Sequence, residues 1–166
     1  ARVGQKGRGA RVWFQRGERP EGAIDQRYTS AWLYGAVRPG TDDAFALVMT
    51  TTNTAAMQAF LDRFAAQLPQ RTHAALLLDG AAWHTALDLK VPANVSLIRL
   101  PPYSPQLNPV ERVWLYLRER FLSLRLFDDL GAIVDGCCDA WNRLANEPGR
   151  LASLTDYPYL RKVRNS

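Results

Sequence analysis

Cysteine is scarce in this sequence, and the two present, Cys137 and Cys138, are neighbours. Adjacent thiols cannot staple distant segments, which excludes a disulfide-framed secreted domain. With no Cys or His close by they offer no zinc site either, and they read as reduced, packed thiols. No apolar run approaches the length of a bilayer span and no signal sequence is visible, so a soluble, intracellular chain is expected. Gly4, Gly7 and Gly9 are not followed by Lys-Ser/Thr leading into a helix, which excludes a P-loop. No internal repeat, low-complexity tract or linker divides the 166 residues, so a single domain with a sizeable core is expected. Lysine is rare beside arginine. Residues 1–19 hold Arg2, Lys6, Arg8, Arg11, Arg16 and Arg19 against Glu18 alone, so the whole net charge of +5 is concentrated there. Such a segment can contact phosphates or can simply be a solvated hairpin.

What is present is a well-patterned α/β chain. An apolar content of 47% with five tryptophans opposes disorder. The first ten residues read as flexible, followed by a strand over Arg11–Phe14 and a turn over Gly17–Gly22. Residues 28–37 and 44–49 read as a strand pair around the Pro39-Gly40 turn. Asn53 or Thr54 can cap a helix running to about Leu68, whose stripe of Met57, Phe60, Leu61, Phe64, Ala65 and Leu68 has helical period. A second helix is expected from Pro109 to about Leu122, burying Val110, Val113, Trp114, Leu117 and Phe121. A third is capped by Asp128 or Asp129 and runs to about Asn146, with Gly136 weakening it by about 1 kcal/mol relative to Ala. The tail interleaves Arg150, Arg161, Lys162 and Arg164 with Tyr157 and Tyr159, a pattern that suits either nucleic acid or a docked terminal segment.

The chemistry concentrates in residues 74–111. Ala74–Leu78 is an apolar run that suits a strand buried on both faces, and it stops on Asp79. A short helix over 83–90 and a strand over 95–98 complete a crossover, so the two strands should run parallel with their carboxyl ends on one edge, where open α/β sheets bind ligands. The loop from Pro101 to Asn108 spans at most about 28 Å, enough to return Glu111 to the side of Asp79. Pro101, Pro102, Pro105 and Pro109 stiffen this loop, and Pro109 fits the first turn of a helix behind an Asn108 cap. Two carboxylates about 4 Å apart repel by roughly 4 kcal/mol at an effective dielectric of 20, a tension that a bound cation relieves. Oxygen-only ligands suit Mg²⁺ or Mn²⁺. Plainer roles stand beside this one: Glu111 lies at capping-box spacing from Asn108, and Asp79 can cap the helix after it. Arg112, Arg118 and Arg120 are expected to point away from Glu111, towards solvent or a DNA backbone.

LLLDGAAWH followed by LPPYSPQLNPVERVW resembles the second and third acidic motifs of DDE transposases, closest to the mariner-like superfamily in its bacterial insertion-sequence 630 branch. The resemblance implies an α/β, ribonuclease-H-like mixed sheet with flanking helices. It implies catalytic and metal-holding roles for Asp79 and Glu111, two Mg²⁺ or Mn²⁺ ions in the intact enzyme, and no small-molecule cofactor. It also implies DNA as partner, both transposon ends and target, a homo-oligomer, and a cytoplasmic, bacterial, DNA-associated setting without membrane contact. His84 matches a histidine of the second motif, as a site-orienting or a loop-bracing residue. In that family the first catalytic Asp ends a central strand, followed by residues resembling Ala1-Arg2-Val3-Gly4-Gln5-Lys6-Gly7. Asp25, Asp42 and Asp43 sit in predicted turns and do not match that motif. Residues 1–166 are therefore expected to form a partial catalytic domain, without its first central strand, its first carboxylate and the helix-turn-helix region, and poorly active alone. A DNA-binding relic, an oligomerisation module and a ribonuclease-H-type nuclease are the alternatives.

Overall fold

The computed structural model describes residues 1–5, 28–79, 88–102, 104–123 and 125–160. The strand expected at 11–14, most of the basic amino-terminal segment, Asp25, Trp83, His84, Tyr103 and the basic residues Arg161, Lys162 and Arg164 lie outside these. The elements run β1 (Arg2–Gly4), β2 (Ser30–Val37), β3 (Ala44–Met49), α1 (Thr54–Gln67), β4 (Ala74–Leu78), β5 (Val95–Arg99), α2 (Val110–Leu117), a π-helical turn (Arg118–Leu122), α3 (Leu130–Ala145) and α4 (Arg150–Leu154).

β1, β2 and β3 form an antiparallel sheet, with Val3 opposite Ala31 and Gly35 opposite Ala46. β4 and β5 form a second, parallel pair in register from Ala74 opposite Val95 to Leu78 opposite Arg99, as the crossover reading requires. The first residues are thus a strand and not a flexible lead. Gly4 permits this, since a Cβ there would lie 3.0 Å from Thr29 O. Gln5, buried, anchors the strand's end by donating to Phe127 O at 3.0 Å and Asp128 O at 3.1 Å. β4 is less enclosed than its composition suggests: Leu78 is buried but Ala75 is exposed.

Period-two alternation in β2 divides the core. Tyr34 and Ala36 face α1, where Met57, Phe60 and Leu61 pack with Leu78 of β4. Leu33 and Val37 face the other way, onto Val113, Trp114 and Leu117 of α2, Ala140 and Leu144 of α3 and Leu151 of α4. Both long helices start as expected: Asn53 Oδ1 accepts from Ala56 N and Asp129 Oδ1 from Ala132 N, each at 2.8 Å. These caps satisfy amide donors that the helix itself leaves unpaired.

α4 is a short helix beyond the Pro148-Gly149 break, and the β2–β3 turn holds it. Asp42 Oδ2 accepts from Gly149 N at 2.6 Å and Oδ1 from Ala152 N at 3.0 Å. Gly40 N donates to Thr155 Oγ1 at 3.0 Å, and that hydroxyl donates to Leu151 O at 2.8 Å. Gly149 takes φ of 73°, a conformation that favours glycine. The amide hydrogen bonds from Ala152 and Gly149 hold the Asp42 carboxyl below the usual aspartate range. A depressed carboxyl pKa contributes stability that is present above the unfolded-state value, near pH 4, and is lost as pH falls through the folded value. Asp42→Asn is therefore expected to flatten the loss of thermal stability between about pH 5 and pH 2. Parallel melting curves for the two proteins across that range would contradict the clamp.

Candidate metal and phosphate site

One cavity brings the sequence-predicted residues together. It has a volume of about 320 Å³ and lies between β2, through Trp32 to Gly35, and β4, through Leu76 to Leu78. Asp79, at the carboxyl end of β4, and Glu111, in the first turn of α2, both line it, with Asn108, Arg118, Ala1 and Arg2. Asp79 is delivered by the parallel β4–β5 pair and Glu111 by the proline-rich loop.

Ala1 is exposed as a residue, and its amine nitrogen donates to Leu33 O at 2.5 Å. Burial lowers the pKa of that amine to about 6, with the negative charges of Glu111 and then Asp79 opposing the fall. Among the described residues no group of three or more His, Cys, Asp or Glu side chains stands close enough to hold a metal.

The loop before Glu111 is braced. Leu107 closes a short 3-10 turn over Pro105–Leu107, and its carbonyl accepts from Tyr159 Oη at 2.5 Å. The Arg112 guanidinium lies 4.6 Å from the centre of the Tyr157 ring, which meets Tyr159 edge to face. Tyr157 and Tyr159 thus dock on the amino end of α2. Asn108 caps α2 in part, its Oδ1 accepting from Val110 N at 3.3 Å. Among the described residues the Asn108 amide donates no hydrogen bond to the Glu111 carboxylate, so the capping-box role does not account for Glu111.

Contrary to the expectation that it points away from Glu111, Arg118 lines the cavity with it. The reason is spacing: seven residues are nearly two helical turns, so positions 111 and 118 share a face. The sequence marks Arg2 only as part of a basic segment. Its guanidinium lies 5.7 Å from the Trp32 ring centre at the same cavity. No composition signal marks it; only pairing of β1 with β2 brings it there.

A family model described as DDE superfamily endonuclease matches residues 1–134. The uncharacterized protein y4pE/y4sA of Sinorhizobium fredii (strain NBRC 101917 / NGR234) is 44% identical over 124 residues, covering 75% of this chain and 92% of that protein. A chain in the crystal structure of the Mos1 strand transfer complex superposes with a TM-score of 0.56 at 15% identity, over 95% of this chain. This chain spans 53% of that one. The likeness is one of fold, a ribonuclease-H-like α/β arrangement of small sheets and flanking helices. Among the described residues no helix is long and apolar enough to cross a membrane. The two acidic motifs, the strand order that joins them and the match across most of the chain converge: this chain belongs to the DDE superfamily endonuclease family.

Proposed function

We propose that the chain is a transposase catalytic domain of the insertion-sequence 630 type, a metal-dependent nuclease and strand-transferase acting on DNA, with Asp79 and Glu111 as its metal-holding residues. The observation that carries this reading is their shared cavity. Two carboxylates fit a hard divalent cation by donor chemistry, since oxygen ligands select Mg²⁺ or Mn²⁺ over softer metals. When bound, a pair of such ions supplies an activated attacking oxygen and charge stabilisation at the departing one. Asp79 holds its place because β4 is tied to β5, and Glu111 because α2 is packed on β2.

The reading includes a third carboxylate. Among the described residues β2 is paired with β1 only as far as Leu33, and β4 is paired only with β5. A second copy of the chain, and DNA ends and target, belong to the same reading.

Titration of Mn²⁺, followed by the electron paramagnetic resonance of the free ion, tests it. Asp79→Asn and Glu111→Gln are each expected to weaken binding by at least about tenfold, the lower end of what losing even an outer partner of a metal costs. Variants that titrate like the wild type would remove both residues from the site. Salt-dependent DNA binding with no such Mn²⁺ site would instead identify a DNA-binding remnant.

A further inference from the structure

We infer that the outer edge of β3 is a docking surface for a second copy of this chain, the two β3 strands pairing antiparallel about a two-fold axis at Ala46. The inference gives a place to the second copy named in the reading above and does not depend on its metal site. It starts from the hydrogen-bond phase of the sheet. In an antiparallel ladder, alternate opposed pairs exchange both of their bonds, and the residues between them turn N–H and C=O the other way. Arg38 N donates to Asp43 O at 2.9 Å, at the turn end of the β2–β3 ladder. Counting on from that pair, Phe45, Leu47 and Met49 bond inward to Ala36, Tyr34 and Trp32. On the other side of β2, Leu33 N donates to Ala1 O, which leaves the even-numbered residues of β2 for β3, as this phase requires. Ala44, Ala46 and Val48 therefore turn their N–H and C=O groups outward, and among the described residues nothing bonds to them.

Nothing within β3 guards that edge. Ala44–Met49 carries no charge, proline or glycine and pairs with β2 without a bulge. Those are the devices that ordinarily keep sheet edges from pairing. The opposite end of the same sheet has them, since β1 is three residues long and includes Arg2. The faces of β3 are already covered. Phe45 and Leu47 pack towards α1, with Phe45 5.5 Å from Phe60 and 6.1 Å from Phe64 between ring centres. Ala46 and Val48 pack on the side of α2 and α3. Only the rim is open, and a rim of backbone donors and acceptors is filled by an added strand.

β3 is its own complement. Directly opposed residues share a face of a sheet, so two copies related by a two-fold axis through the sheet match even positions with even and odd with odd. Centred on Ala46, that residue opposes its twin, and Ala44 opposes Val48 of the partner subunit. This register alone pairs all three outward residues with one another. Phe45 then meets Leu47 of the partner subunit in the closer, non-bonded positions, an aromatic–aliphatic contact on the α1 face. No charge is buried, and the two three-stranded sheets become one.

The test is the mass of the whole chain by light scattering across a concentration series, in EDTA and without DNA, with cysteine cross-linking to read the register. The wild type is expected to pass from the mass of one chain to twice that mass as concentration rises. Ala46→Pro removes an N–H that the folded monomer does not use, a position where edge strands accept proline. It should keep the wild-type circular dichroism spectrum and dimerise on the order of tenfold more weakly, because both copies lose a bond. In a Cys138→Ser background, which removes the exposed thiol, Ala46→Cys should form a disulfide-linked dimer under mild oxidation. Bonded opposed residues lie about 5.5 Å apart at Cα, within disulfide reach. Ala44→Cys should not cross-link, because its twin lies four residues along the paired strand, about 14 Å away. A wild type that stays at the mass of one chain overturns the inference. So does a folded Ala46→Pro that dimerises like the wild type, or an Ala44→Cys that cross-links as readily as Ala46→Cys. Should Ala46→Pro fail to fold, the two cysteine variants decide alone. Since no metal is present, failure here leaves Asp79 and Glu111 as they were, and loss of their Mn²⁺ site leaves this edge as it was.

Discussion

Trp114→Ala is expected to lower the stability of the chain by about 3–5 kcal/mol, the range for removing a packed aromatic from a core. Trp114 is 8% exposed and joins Leu33, Val113, Leu117, Ala140 and Leu144 in one cluster. It also meets Trp141 at 6.3 Å between ring centres. The indole presses edge-on against Gly35 of β2, where an added Cβ would lie 2.5 Å from Trp114 Cη2. The glycine is therefore a seat for the ring, and the ring sets the height of α2 above the sheet. Glu111, one turn earlier on α2, takes its position from the same contact. Two measurements by urea unfolding follow. Gly35→Ala, which strand preference alone would favour, should instead cost about 1–3 kcal/mol by overpacking. In a Trp114→Leu background the same glycine change should cost markedly less, because the ring that it collides with is gone. Additive effects of the two substitutions would show that ring and glycine are not coupled. Folded Gly35→Ala protein should also bind Mn²⁺ more weakly, since α2 must lift to accommodate the methyl.

Why some of this architecture was legible in the amino-acid sequence, and some not, follows from the range of the forces involved. β3, α1, α3 and the parallel β4–β5 crossover are written in local patterns: hydrophobic period, a capping Asn or Asp, a proline or glycine at the end. Asp79 could be placed because it ends such an element at the sheet edge, and Glu111 could be paired with it because the loop before α2 is long enough to return there. β1 was not legible, because Arg2-Val3-Gly4 carries little strand signal of its own. Its conformation is imposed by the edge of β2 and by Gln5 reaching Phe127, over 120 residues away in sequence. α4 is likewise a tertiary product. Arg150–Leu154 is too short to persist alone and is held by Asp42 from a distant turn. Arg118 was legible in principle, seven residues from Glu111, but one helix carries three arginines near that acid. Only the packing of Val113, Trp114 and Leu117 on the core decides which of them shares the cavity.

Gly136 tests the same distinction with a sign. Helix propensity ranks glycine about 1 kcal/mol below alanine in a helix interior, so α3 considered alone would gain from Gly136→Ala. In the folded chain Gly136 is buried, and a Cβ there would lie 2.6 Å from Phe127 Cε1 and 3.2 Å from Cζ. Phe127 is 5% exposed and packs with Ala31, Ile133 and Cys137, so the ring has little room to retreat. Overpacking of about 1–3 kcal/mol outweighs the propensity gain, and Gly136→Val, bulkier and β-branched, should cost more than the alanine. At about 2–4 °C per kcal/mol for a chain of this size, Gly136→Ala is expected to lower the melting temperature by a few degrees and Gly136→Val by considerably more. A rise in melting temperature for Gly136→Ala would mean that the ring swings aside freely. The consequence extends to the site, because the Phe127 carbonyl is one of the two acceptors that anchor Gln5. Displacing Phe127 loosens the end of β1, and β1 carries Arg2 at the mouth of the cavity. Hydrogen exchange at Val3 to Gln5 should therefore accelerate in Gly136→Val while exchange in β4 and β5 stays as in the wild type.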